Sequence, residues 1–225
     1  KLEAYSRPKK GGIRAILVDD DDEVVSVRLA KPGDSVLLSM ASGRAIRFDE
    51  AGVRAMGRTS RGVKGVKLLG DDKVVGMVVA EPDAFLLTAT VNGYGKRTPL
   101  SDYPIKGRGG QGVIDIRTTD RNGEVVMAKF CREQDHAMFI TESGMIVRTT
   151  VADVSTVGRN TQGVRLVNLK NDDRLVSVEI VSNEDLERFG DEEVEGEGAA
   201  ESNGAAPESE ASADSGDAPD DGPAD

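Results

Sequence analysis

Apolar residues along this chain fall into short runs that return at a fixed interval. Four glycines, Gly12, Gly62, Gly112 and Gly163, stand 50, 50 and 51 residues apart, and each opens a similar stretch. The stretches read Gly-Ile-Arg-Ala-Ile, Gly-Val-Lys-Gly-Val, Gly-Val-Ile-Asp-Ile and Gly-Val-Arg-Leu-Val. A second run follows about a dozen residues later, at 24–29, 74–79, 125–130 and 175–180. A third, at 36–40, 85–90 and 138–141, leads into Gly43, Gly93 and Gly144, and a fourth carries Arg47, Arg97 and Arg148 in register. Gly57-Arg58, Gly107-Arg108 and Gly158-Arg159 then close the units.

The runs are rich in Val and Ile, and several alternate. Val25, Val27 and Leu29 share one face while Ser26 and Arg28 share the other, the period of a half-buried strand. Ser42-Gly43, Asn92-Gly93 and Ser143-Gly144 are turn dipeptides, so the third and fourth runs form hairpins. Four strands per unit of about fifty residues predict an all-β fold of propeller-like blades. The units span 12–61, 62–111 and 112–162, with an incomplete fourth at 163–182. A meander within a β-sandwich is the plainer alternative. The only helical signal, a weak one, lies near Glu184–Arg188.

Charge divides the chain in two. Residues 183–225 hold 16 acidic side chains and one basic one, for a net of −15, and few apolar residues. Such a segment cannot bury enough surface to offset chain entropy, which predicts a disordered acidic tail. Residues 1–182 carry a net of +4, so the repeat region is mildly basic. One Cys and one His exclude an intramolecular disulfide framework and a His/Cys metal cluster. No run is long enough for a membrane helix and no signal-peptide pattern opens the chain, so a cytoplasmic location is the default expectation.

The basic residues gather where units meet. Arg7, Lys9 and Lys10 precede the first anchor, Arg58 and Arg61 the second, Lys106 and Arg108 the third, and Arg159 the fourth. Arg14, Lys64 and Arg165 stand two positions after three of the anchors, with Ile114 the exception. Glycine beside Arg and Lys lets backbone amides and cations approach an anionic surface together. Repeated on each blade, such loops form a track for a polyanion held through its phosphates. Solvated turns rich in Gly, Arg and Lys give the same composition without function. Arg47, Arg97 and Arg148 fit either contact with that polyanion or pairing with Asp49, Asp102 or Asp153. His136 and Cys131 read as a surface and a packing residue, and Asp19–Asp22 as a solvated turn rather than a Ca²⁺ loop. No nucleophile, base and orienting group stand together, so no catalytic residue is expected.

Several stretches carry a specific resemblance. Tyr5-Ser6-Arg7-Pro8 before Gly12-Ile13-Arg14-Ala15-Ile16, Val53-Arg54-Ala55-Met56-Gly57, Asn92-Gly93-Tyr94-Gly95-Lys96-Arg97-Thr98 and Val157-Gly158-Arg159-Asn160-Thr161-Gln162-Gly163-Val164 resemble the C-terminal domain of bacterial DNA gyrase A subunits. The resemblance runs from about Tyr5 to Val181 and implies a β-pinwheel, a ring whose neighbouring blades exchange strands. It also implies a ring of six blades, of which these would be roughly the last four. Double-stranded DNA wraps on the basic rim in this family. The family's basic box is absent, and Lys106-Gly107-Arg108-Gly109-Gly110-Gln111-Gly112 is only a degenerate relative of it.

What the resemblance implies for partners is the remainder of the gyrase A polypeptide, together with the gyrase B polypeptide, in an A2B2 topoisomerase. ATP and Mg²⁺ would be used by other domains, with no cofactor here. It also implies that the acidic tail tunes wrapping by competing for the rim; a solubilising appendage is the alternative. Two rival functions stand beside it: the equivalent domain of the topoisomerase IV A polypeptide, and a propeller that binds proteins.

Overall fold

A computed structural model describes residues 2–7, 9–170 and 172–189. Eleven strands form among them: β1 (Ser35–Met40), β2 (Arg44–Asp49), β3 (Val74–Ala80), β4 (Phe85–Thr90), β5 (Tyr94–Pro99), β6 (Val113–Ile114), β7 (Val125–Cys131), β8 (His136–Thr141), β9 (Ile146–Thr150), β10 (Val164–Arg165) and β11 (Leu175–Val181). They pair into three sheets ordered β3-β1-β2-β6, β10-β5-β4-β7 and β11-β8-β9. All named pairings are antiparallel.

No sheet is made by one repeat unit. The third and fourth runs of a unit form its central hairpin, Ser35↔Asp49 in the first and Phe85↔Pro99 in the second. The second run of the next unit adds on one side, Ser35↔Ala80 and Phe85↔Cys131. The first run of the unit after that closes the other side, Ala45↔Val113 and Gly95↔Val164. Each four-stranded sheet therefore staples three successive units, which is the strand exchange of a pinwheel.

This connectivity accounts for three runs that form no strand. By this rule the second run of the first unit, at 24–29, would pair with the third run of a preceding unit, and among the described residues no strand pairs with it. It stays irregular, with Val27 73% and Leu29 74% exposed. The first runs after Gly12 and Gly62 likewise lack fourth-run partners. Strand propensity is realised only against a neighbour that supplies hydrogen bonds and a buried face. The glycines record the same rule. A Cβ on Gly43 would lie 2.2 Å from the Ile116 carbonyl, and one on Gly93 2.7 Å from that of Val167, because the chain just past an exchanged strand runs there. Gly144 meets nothing within 4 Å, and its sheet has three strands.

Apolar clusters lie between neighbouring sheets. Leu37, Val78, Leu86 and Tyr103 join the first sheet to the second. Leu87, Phe139, Val154 and Val178 join the second to the third. The helical signal beyond the repeats is realised as α1 (Asn183–Phe189), in residues expected to belong to the disordered tail. Ser182 caps it: its Oγ accepts the Asp185 N–H at 3.1 Å and donates to the Asp185 carboxylate at 2.6 Å. The rest of the expected tail, from residue 190, lies outside the described residues.

Candidate nucleic-acid interface

The loops that close the units are built by one repeated contact. The Nη1 of Arg58 donates to the Arg14 carbonyl at 2.9 Å, that of Arg108 to Lys64 at 2.9 Å, and that of Arg159 to Ile114 at 3.1 Å. The Arg of each Gly-Arg pair thus ties the end of a unit to the residue two past the anchor that opened it. Arg108 adds a 2.7 Å bond from Nε to the Gly52 carbonyl. These three arginines have a structural job that recurrence alone would explain. A guanidinium has five N–H donors, however, so one or two carbonyls leave others for an anion.

The remaining predicted residues are more open. Lys9, Lys10, Arg14, Arg7, Lys64 and Lys106 are all exposed. Arg14 and Lys64 meet Arg58 and Arg108 through the carbonyl bonds just described, so each of these basic pairs is brought together. Arg61 differs: it forms an ion pair with Asp19, which neutralises it within its own unit. Arg165 donates from Nη2 to the Tyr94 hydroxyl at 2.7 Å and from Nη1 to Asn168 Oδ1 at 3.1 Å.

The strand-borne arginines make contacts within the fold. Arg47 donates to Ser35 Oγ at 2.8 Å and to the Leu100 carbonyl at 3.2 Å. Arg97 reaches Glu133 at 3.1 Å and the Ala152 carbonyl at 3.2 Å, with its guanidinium 4.9 Å from the Phe85 ring centre. Both therefore grip the turn of the following unit. Arg148 instead donates to His136 Nδ1 at 3.0 Å. None pairs with Asp49, Asp102 or Asp153. Cys131 is buried, which pushes its thiol up to about 12, so it is no nucleophile at neutral pH.

Beneath the last basic loop lies a buried polar cluster that the sequence does not announce. Lys96 is wholly buried, and its three N–H donors face four acceptors within hydrogen-bond distance of Nζ: the carbonyls of Asp115 (2.7 Å), Gly158 (2.8 Å) and Arg159 (2.9 Å) and Thr98 Oγ1 (3.0 Å). The Asp115 carboxylate stands 3.5 Å from that ammonium and accepts the hydroxyls of Tyr103 at 2.6 Å and Thr88 at 2.8 Å. Burial lowers the Lys96 pKa, with the Asp115 charge opposing it. Burial, then the same carboxylate, pushes the Tyr103 hydroxyl far above its usual range. The cluster holds the Gly158-Arg159 backbone in place from below. Its members come from two units and four separate segments, so no local motif betrays them.

Arg44, Arg117 and Arg121 also lie outside the residues that the sequence singled out. Arg44 binds the carbonyls of Gln111 (2.9 Å) and Gly112 (3.1 Å), fixing the third loop. Arg117 donates to Asn160 Oδ1 at 3.1 Å, beside the fourth loop. Among the described residues there is no cluster of His, Cys, Asp and Glu fit for a metal ion, and no helix long and apolar enough to cross a membrane.

Known proteins share this arrangement. The family described as DNA gyrase C-terminal domain, beta-propeller, matches residues 1–31, 41–81, 84–131 and 135–182. The DNA gyrase A protein of Salmonella typhimurium is 44% identical over 200 residues, covering 87% of this chain and 23% of that protein. The Escherichia coli K12 protein of the same name is 41% identical over 200 residues, with the same shares. The chain therefore spans less than a quarter of the length of these relatives. A solved DNA gyrase A C-terminal domain superposes with a TM-score of 0.69 at 30% identity, covering 75% of this chain and 58% of that one. The C-terminal domain of a DNA topoisomerase IV gives 0.78 at 25% identity, covering 84% and 60%. With strand exchange, repeat and sequence in agreement, the chain belongs to the DNA gyrase C-terminal domain family of β-propellers.

Proposed function

We propose that this chain is the DNA-binding and DNA-wrapping part of a gyrase A protein, acting in a type II topoisomerase that supercoils DNA. The observation that carries this reading is the identity of 41–44% to gyrase A proteins across 87% of the chain, in company with basic loops that recur at each unit boundary. The part played here is mechanical. A basic surface holds a duplex along a bent path and presents the next segment with a defined crossing. Elastic bending costs about 1–6 kcal/mol over a few tens of base pairs, which several phosphate contacts must offset. Strand cleavage and ATP turnover belong to the rest of the gyrase A polypeptide and to gyrase B in an A2B2 assembly, located in the cytoplasm.

The interface comprises Arg7, Lys9, Lys10, Arg14, Arg58, Arg61, Lys64, Lys106, Arg108, Arg159 and Arg165. Arg61 contributes least, since Asp19 already neutralises it. The greater likeness in shape to a topoisomerase IV domain favours that enzyme as a second reading, but the gyrase A proteins are closer in sequence. Charge reversal at Lys9, Lys10, Lys64 and Lys106, four exposed lysines, tests the interface. DNA affinity and the slope of its salt dependence should both fall. Unchanged values for both would refute it.

A further inference from the structure

One position of the repeat changes sign in a single unit. The turn between the first and second runs carries Asp21, Asp71 and Asp172 in three units, and Arg121 in the third. The other turns place a second carboxylate one residue on, at Asp22, Asp72 and Asp173, where the third unit has Asn122. Asp72 and Asp173 are engaged by the adjoining hairpin, through Ser42 at 2.5 Å and Ser143 at 2.6 Å. Asn122 instead reaches forward, donating to the Gln162 carbonyl at 3.1 Å, and so binds its turn to the loop before Gly163.

This junction gathers cations without neutralising them. The Arg121 guanidinium lies 4.7 Å from the centre of the Tyr94 ring, and that of Arg165 5.1 Å from it. Arg165 also holds the phenol oxygen, and Arg121 leans on Gln162 Oε1 at 3.5 Å. Arg117, exposed four residues before Arg121, reaches the same loop through Asn160. Arg121 and Arg165 are exposed, and none of the three arginines forms an ion pair among the described residues. The corresponding junction of the first unit is the opposite case, since there Asp19 cancels Arg61. Tyr94 is buried, so the two guanidiniums are held by ring and hydroxyl rather than waving in solvent. The Arg121 guanidinium beside the phenol, followed by the Arg165 charge, holds the Tyr94 hydroxyl below the usual tyrosine range, a sign that the spot favours negative charge.

We propose that Arg121 and Arg165, oriented by Tyr94 and flanked by Arg117, form a dedicated contact for a backbone phosphate of duplex DNA. This rests on the DNA-binding reading above. Planar guanidiniums with free edges suit the paired oxygens of a phosphodiester, and the contact carries no base readout. Tyr94 is a positioning residue: it touches the arginines, not the DNA.

The test uses the whole 225-residue chain and a linear duplex, with Kd measured across a salt series. Arg121→Asp, which restores the residue type of the other units, should weaken binding about tenfold at roughly 0.1 M salt and lower the salt slope by about 1–2. Arg165→Gln should lower the slope by about 1. Tyr94→Phe keeps the ring but loses the hydroxyl, and should weaken binding less than Tyr94→Leu, with Lys129→Gln, remote from the site, as the control. A chain that binds DNA as before when Arg121→Asp and Arg165→Gln are combined would overturn this contact and leave the general reading intact. A parent chain with no DNA affinity would overturn both.

Discussion

The junction between the first and second sheets and the junction between the second and third use the same four repeat positions in opposite ways. At the first they hold Thr88, Lys96, Tyr103 and Asp115, a hydrogen-bonded polar set. At the second they hold Phe139, Val147, Val154 and Leu166, all in one apolar cluster. The backbone scaffold is shared, so the scaffold does not dictate the filling. The apolar filling draws on area removed from water. The polar filling gives up part of that gain, and it is tolerated because each buried group finds partners. The lysine is particular to this unit: the equivalent fourth-run positions hold Ile46 and Val147.

This contrast can be broken from either side. Lys96→Met should be the most damaging single change at the polar junction, because it strands the Asp115 carboxylate and two loop carbonyls. We expect a loss of about 3–5 kcal/mol in chemical denaturation. Phe139→Ala at the apolar junction should cost about 3–5 kcal/mol by leaving a cavity, but without loosening the Gly158-Arg159 loop. Hydrogen exchange at that loop distinguishes the two. Converting the polar set to the apolar one (Thr88→Phe, Lys96→Val, Tyr103→Val and Asp115→Leu together) should recover most of the stability lost in Lys96→Met. Tyr103→Phe removes one hydrogen bond to a carboxylate and should cost about 1.5–3 kcal/mol.

The smallest effect lies outside both junctions, at the clasp between Ser143 and Asp173. Hydrogen bonds from Ser143, then Thr141, hold the Asp173 carboxyl down at about 2, against an ordinary value of 3.8. A depressed folded-state value means that the clasp stabilises above about pH 4 and is lost as pH falls toward about 2. Ser143→Ala should return the Asp173 titration, followed by NMR, toward the ordinary carboxylate range.

The repeat, the strands of the later units and the hairpin turns were legible because they rest on local periodicity. The exchange of strands was not legible in periodicity, which says where a strand is and not which neighbour it joins; only the family resemblance implied it. Residues 24–29 show the cost: their alternation is that of a strand, yet among the described residues no strand pairs with them. Among the site residues, the Gly-Arg pairs stand out by recurrence, but recurrence could not separate a carbonyl tie from a phosphate contact. Arg121 escapes notice for the reverse reason, because it departs from the register that the other units keep.

The proposed function has a basic face holding DNA along its length. Its most direct test compares binding of this chain to a duplex of roughly 150 base pairs, about one persistence length, with binding to one of roughly 20, across a salt series. The account predicts tighter binding per molecule to the longer duplex and a steep fall in affinity with salt. Equal affinity for both lengths with no salt dependence would contradict it.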